Sequence, residues 1–319
     1  MNADSKILIT GGAGFIGSNI VAKLVSLGYK NISVLDNLET GFIQNIQEFI
    51  EENKIEFIRG DITDYQTCLN VTAGKEIILH QAALGSVPRS IEFPMNTLHV
   101  NVNGFNNMLD AARINKVKRF VYASSSSVYG DDLTLPKKED IVGNPLSPYA
   151  ISKKTNELYA KVYADLYGME IIGLRYFNVF GPKQNPNGPY AAVIPIFIHN
   201  LLTGKPCNIY GDGTNQRDFT FIDNVVHANL LAASSTNSNA FNKVYNIAFG
   251  STKSVNELYK FIADELKSNS SVNYLAPRKG EIKDSFASID FATEYLNYKP
   301  EVNLIDGIRE TIKWMKTTL

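Results

Sequence analysis

Short apolar runs punctuate the first half of the chain, and each closes on polar or turn-forming residues. Ile7-Leu8-Ile9 is bounded by Thr10 and a glycine-rich turn, and Ile32-Ser33-Val34-Leu35 ends at Asp36. Similar runs lie at 55–58, 76–80, 120–123 and 171–176. Runs this short, apolar without alternation, predict strands buried on both faces. Ile16, Ile20, Leu24 and Leu27 recur instead at helical spacing, and Gly28 supplies a stop. Helical patterns also cover 95–115 and 148–167. Strands alternating with helices predict an α/β fold built on a doubly wound parallel sheet.

After Arg175 the rhythm loosens. Gly181-Pro182, the stretch 185–189 and Gly211-Asp212-Gly213 are rich in turn formers. The pattern divides the chain into a dinucleotide-binding domain over 1–178 and a smaller C-terminal α/β lobe over 179–319, with 218–235 a candidate to return to the sheet side. Ligands of open parallel sheets sit beyond the carboxyl ends of the strands. A second lobe over that edge would close a cleft.

Composition narrows the function. The 319 residues are 44% hydrophobic and 20% charged, with formal net charge −1. Such a balance gives no electrostatic reason to expect nucleic acid as a partner. No apolar run approaches the roughly 18 residues of a membrane span, and the N-terminus runs straight into a strand, which speaks against a signal peptide. The cytoplasm is the expected location. Two cysteines, Cys68 and Cys207, argue against a disulfide framework, and four scattered histidines show no metal-ligand spacing.

The first strand opens on Gly11-Gly12-Ala13-Gly14-Phe15-Ile16-Gly17. Gly11 allows a tight turn, Gly14 a close approach of pyrophosphate to backbone, and Gly17 close packing of helix on strand; the helix N-terminus then faces the phosphates. Asp36 ends the second strand where an acid binds the adenosine ribose. It would repel a 2′-phosphate, and Asn37 adds no positive charge, so NAD is favoured over NADP. Asp61, in Gly60-Asp61-Ile62, is placed either to meet the adenine edge or to cap a helix.

Tyr149 and Lys153 stand four residues apart, which on a helix puts phenol and ammonium on one face, one turn apart. A nearby cation favours the phenolate, so Tyr149 is expected to titrate below its free value of about 10 and to exchange a proton with a sugar or alcohol hydroxyl. Among 16 tyrosines a second match exists, Tyr295 to Lys299, but Pro300 ends that segment. The serine run 124–127, before Val128-Tyr129-Gly130, follows the fifth strand; it reads as hydroxyls over the cleft or as a polar loop. Arg175 to Gly181 closes the sixth strand with the Asn178 amide at the same edge.

In order and spacing these pieces, with Arg217-Asp218-Phe219 and Arg278 to Glu281, resemble the extended short-chain dehydrogenase/reductase family through nearly the whole chain. The resemblance implies a Rossmann fold, bound NAD, a UDP-, GDP- or dTDP-sugar substrate, and a homodimer formed through a four-helix bundle of the helices near 95–115 and 148–167. It implies cofactor contacts at Gly11, Gly14, Phe15, Ile16, Gly17, Asp36, Asn37, Gly41, Asp61, Ile62, Gln81, Ala82, Ala83, Tyr149, Lys153 and Tyr176. Substrate contacts are implied at Ser86, Val87, Arg89, Ser125, Ser126, Ser127, Tyr149, Asn178, Ala192, Val193, Tyr210, Gly211, Arg217, Arg278, Glu281 and Ser285. Arg217 and Arg278 would fork onto pyrophosphate, although by themselves arginines read as surface ion pairs. Glu281 stands where many relatives carry aspartate.

Within that family, 4,6-dehydratases carry Thr-Asp-Glu before Val-Tyr-Gly, and decarboxylases carry a glutamate there. This chain has Ser125, Ser126 and Ser127, with no carboxylate for elimination. Reductase-epimerases need a cysteine/histidine pair, and no cysteine is near. A 4-epimerase remains, with Ser125, Tyr149 and Lys153 as catalytic residues. The blocks 81–90 and 187–195 are similar to those of bacterial epimerases of UDP-N-acetylglucosamine, and Ser285, where other members carry a large aromatic, leaves room for an acetamido group. UDP-glucose, UDP-glucuronate and UDP-N-acetylglucosaminuronate, the last suggested by Arg89, are alternative substrates. A non-catalytic NAD-binding sensor is the reading from another class.

Overall fold

The computed structural model describes residues 1–188, 190–277 and 284–319. Its centre is one parallel sheet of seven strands: β1 (Lys6–Thr10), β2 (Asn31–Asp36), β3 (Glu56–Arg59), β4 (Ile77–His80), β5 (Arg119–Ser125), β6 (Glu170–Tyr176) and β7 (Lys243–Ile247). They lie in the order β7-β6-β5-β4-β1-β2-β3. Chain order reverses between β1 and β4, so a crevice opens above their carboxyl ends.

Side chains alternate across a strand. Ile7 and Ile9 enter one core with α1 (Phe15–Ser26), while Leu8 enters the other with α2 (Tyr65–Thr72) and α3 (Phe105–Ile114). All three are fully buried, which explains a first strand apolar without alternation. α1 shifts slightly from the sequence expectation. Val21 joins Ile20 and Leu24 in the core, whereas Leu27 lies past the helix end and is exposed, because Gly28 adopts φ +79° and turns the chain.

α3 continues an upstream turn of helix (Pro94–Leu98) through a π-helical stretch at His99–Gly104. α4 (Pro148–Tyr167) begins at Ser147, whose hydroxyl accepts from the Ala150 N–H at 3.1 Å, with Pro148 in the first turn. It stops at Gly168, φ +63°. The decoy pair is not on one helix: the short helix Asp290–Leu296 ends before Lys299.

Two features were not marked by the sequence pattern. β5 runs on through Ser124 and Ser125, because β6 alongside pairs Arg175 and Tyr176 with them; the serine run therefore starts within the strand. β7 comes from far downstream and pairs with β6 at the sheet edge. Between the two, α6 (Ile222–Ser234) packs beside α1 on the sheet. The rest of the C-terminal part holds α5 (Val193–Leu202), α7 (Val255–Leu266), α8 (Leu304–Thr318) and short strand pairs, Cys207–Tyr210 with Val272–Leu275 and Gln216–Arg217 with Lys253–Ser254.

Candidate active site

A cleft of about 430 Å³ runs over the carboxyl edge of β1, β2, β4, β5 and β6. Gly11, Gly14, Phe15, Ile16 and Gly17 line it, as do Asp36, Asn37, Asp61, Ile62, Gln81, Ala82, Ala83, Tyr149, Lys153 and Tyr176. Of the expected cofactor residues only Gly41 is not on that wall; it stands behind it, where a Cβ would lie 3.0 Å from the Asp36 carboxylate. Leu35, Glu39, Thr40, Gly60, Leu84, Gly85, Val100, Ala123, Ser124, Val179 and Gln184 complete the lining. Most of these are chain neighbours of the motif residues. Val179 and Gln184 come from the second half of the chain, and no local pattern announced them.

The glycines are there for space. Gly11 sits at φ +70°, and a Cβ on it would come 2.7 Å from Ala82 N. A Cβ on Gly17 would meet Gly11 O at 2.2 Å. α1 begins at Gly14 without a side-chain cap, so its first N–H groups are left to a ligand. The Asp36 carboxylate accepts from Ala13 N at 2.9 Å and Leu38 N at 2.8 Å. Burial nevertheless raises it above the usual carboxylate value. Asp61 is not a helix cap, since Asp64 caps α2. It accepts from Thr63 N and Oγ1 and from Asn37 Nδ2 at 2.7–2.8 Å, and against the opposing effect of burial these bonds hold it low. These residues fit NAD: bare backbone at the phosphates, and an acid at the ribose.

Tyr149 and Lys153 share one face of α4 and line this cleft beside the end of β5. Lys153 is almost fully buried, and its Nζ donates to Ala123 O at 2.8 Å while lying 5.9 Å from the Tyr149 ring centre. Burial draws Lys153 down to about 8, opposed by the Glu157 charge. The expected acidification of Tyr149 is not seen here. Burial pushes the phenol up, and a hydrogen bond with Ser125 is what offsets it, not the lysine. Lys153 Nζ directs one of its three N–H donors to the Ala123 carbonyl of β5 and stands 5.9 Å from the Tyr149 ring centre. Ser125 accepts from Ser127 N at 3.2 Å and Ser127 Oγ at 3.0 Å, so these two hydroxyls are linked to each other. Ser126 is half-buried and outside the cleft wall.

Apart from Tyr149, the expected substrate residues are not on the wall of this cleft. Asn178, Arg217 and Ser285 are brought together by Asp218. Asn178 Nδ2 donates to Asp218 O at 2.8 Å, Asp218 N donates to Ser285 O at 2.9 Å, and Ser285 bridges Arg217. The buried Asp218 carboxylate accepts from Phe249 N and Gly250 N, yet burial lifts it to about 6. Ser86 caps a short helix (Val87–Glu92), accepting from Arg89 N at 3.2 Å; Val87 is exposed, and the Arg89 guanidinium lies 5.3 Å over the Tyr190 ring. Ala192 and Val193 form the start of α5, and Tyr210 and Gly211 end the strand at 207–210. The expected contacts at Arg278 and Glu281 lie outside the described residues. Asn101 was missed: in the π-helical stretch it binds Leu84 N at 2.8 Å, Leu84 O and Ser152 Oγ, tying the cleft loop to α4. A lone asparagine inside a helical pattern gives no such signal.

Comparison with known proteins fits this geometry. The profile of the NAD dependent epimerase/dehydratase family matches residues 7–248. A solved UDP-N-acetylglucosamine 4-epimerase from Methanobrevibacter ruminantium M1, in complex with UDP-N-acetylmuramic acid, is 38% identical and superposes with a TM-score of 0.94 over 100% of both chains. A UDP-glucose 4-epimerase of Thermotoga maritima with UDP-glucose gives 34% identity and a TM-score of 0.92 over 98% of this chain and 99% of that one. The UDP-glucose 4-epimerase of Mycolicibacterium smegmatis is 36% identical over 98% of each chain.

Proposed function

This chain belongs to the NAD dependent epimerase/dehydratase family, and from that premise we propose that, as an NAD-dependent UDP-sugar 4-epimerase, it interconverts UDP-N-acetylhexosamines at C4. Bound NAD supplies a reversible hydride acceptor and a positively charged ring. Gly11, Gly14, Gly17 and Asp36 would hold it, with Lys153 at its nicotinamide end. The chain's own residues move the proton. Tyr149 takes it from the sugar 4-hydroxyl and returns it, Ser125 aligns that hydroxyl, and the Ser127–Ser125 pair steadies the relay.

One observation carries the choice of sugar. Ser285, a small half-buried residue, lies beside Arg217, so an acetamido group finds space where an aromatic would fill it. The 38% identical UDP-N-acetylglucosamine 4-epimerase supports the same reading. Purified protein incubated with UDP-N-acetylglucosamine, without added NAD, should yield UDP-N-acetylgalactosamine. Faster turnover of UDP-glucose would overturn the choice. Faster turnover of a uronate would favour the reading that Arg89 binds a 6-carboxylate.

The reading includes a homodimer. Ile151, Leu158, Val162 and Leu166 are exposed on α4, and Ile91, Phe93 and Met95 are exposed on the segment that leads into α3. Pairing these faces in a four-helix bundle would cover them; a monomeric mass by light scattering would refute it. Among the described residues no helix is long and apolar enough to cross a membrane.

A further inference from the structure

Beneath the reacting pair lies a buried ionic cluster that the proton relay does not use. Glu157 follows Lys153 by one turn on the same face of α4 and is 6% exposed. Its Oε1 accepts from Ser124 Oγ at 2.6 Å and from Arg175 Nε at 2.8 Å; its Oε2 accepts from Arg175 Nη2 at 2.9 Å. Ser124 and Arg175 are register partners across β5 and β6. One carboxylate therefore clamps the carboxyl ends of two adjacent strands to the helix that carries Tyr149 and Lys153. Lys153 itself grips Ala123, the residue before Ser124. The clamp extends further: Arg175 Nη1 donates to Glu139 O at 3.0 Å, and its guanidinium lies 4.8 Å from the Tyr129 ring, at the end of the Ser126–Tyr129 turn.

A buried ion pair is a weak stabiliser compared with apolar packing of the same volume. Its place here is better explained by what it holds. We propose that Glu157 is a positioning residue for Lys153: its carboxylate fixes α4, and the lysine it carries, on the ends of β5 and β6.

The surroundings of Lys153 support this. Tyr149 and Glu157 face it from α4, His80 from β4, Tyr176 from β6; Tyr122 on β5, Arg175 on β6 and Lys154 on α4 surround Glu157. Burial and the Lys153 charge hold His80 neutral, down to about 3. Burial pushes all three tyrosines up. Glu157 is the charge that opposes the burial of Lys153.

This inference rests on the reading of Lys153 as a member of the reacting pair. Its test follows the lysine without any sugar nucleotide, so the two can fail separately. In the holoenzyme, Glu157→Gln keeps the shape and one accepting oxygen, which can still take Ser124 Oγ and Arg175 Nε, but it removes the charge and the second acceptor that Arg175 Nη2 uses. The Lys153 side-chain resonance, followed by NMR in lysine-labelled protein, should titrate at lower pH than in wild type. The alkaline limb of kcat should move down with it, leaving kcat at pH 8 about tenfold lower with KM unchanged, as one lost neighbouring charge predicts. Glu157→Asp should restore most of the charge effect. An unmoved lysine titration and alkaline limb, or kcat and KM drifting together with the melting temperature, would reduce Glu157 to a packing residue and overturn the proposal. If Glu157→Gln does not fold, Ser124→Ala serves: it releases one bond to the carboxylate, and a several-fold loss of kcat with KM unchanged is expected, whereas an unchanged kcat overturns the proposal.

Discussion

Two parts of the molecule are built in different ways: the cleft over the sheet edge, and the cluster around Asp218. On the dinucleotide side the wall is backbone: glycines without side chains, the open start of α1, and carboxylates at strand ends locked by neighbouring N–H groups. Around Asp218, Arg217 sits on a two-residue strand, Ser285 on a single bridge and Asn178 in the turn between two strands, all gathered about one buried aspartate. The first part takes its shape from a continuous sheet and has no slack; the second holds its side chains on short, independent pieces. A backbone-walled site suits a ligand that never changes. A side-chain-walled site can be altered one residue at a time, which suits a part where sugars differ.

The largest effect should come at Tyr149, on the cleft wall. Tyr149→Phe should lower kcat at least about 10³-fold, the upper range for one acid/base group, with substrate binding by calorimetry nearly kept. Near-normal turnover would break the assignment of the proton. Next, Gly17→Ala should show that the dinucleotide side has no slack. Its Cβ would lie 2.2 Å from Gly11 O, which backbone cannot yield cheaply, so a loss of about 1–3 kcal/mol in stability is expected, with copurified NAD falling sharply. Retention of full NAD would contradict a backbone-built wall.

Ser285→Tyr probes the cluster around Asp218. It should cut kcat/KM for UDP-N-acetylglucosamine roughly 10²-fold while changing UDP-glucose several-fold at most, because an unrelieved steric clash falls on one substrate alone. Equal losses would remove the size argument. The smallest effect is in pH. Lys153 loses its proton as pH rises through about 8, so kcat should fall above that point. Its stability contribution runs the other way. The folded value lies below the ordinary 10.5, so the unfolded chain binds more protons between about 8 and 10.5, and this group's contribution to stability rises with pH across that window. A kcat that climbs steadily to pH 10 would show that the lysine charge is not needed.

Sequence alone determined the parallel sheet, its first six strands, the glycine turn with Asp36, and the pairing of Tyr149 with Lys153 on one helix. All of these depend on local spacing: period in a strand, i to i+4 on a helix, the φ that only glycine adopts freely. Tertiary structure alone decided the rest. β7 reached the sheet from far downstream, Val179 and Gln184 closed a cleft opened by the first residues of the chain, and Asn101 and Glu157 became anchors of α4. That Lys153 directs one N–H to the Ala123 carbonyl was likewise a matter of burial and three-dimensional reach. Spacing along one helix puts two groups on the same face; only the strands packed beneath them determine what each group touches.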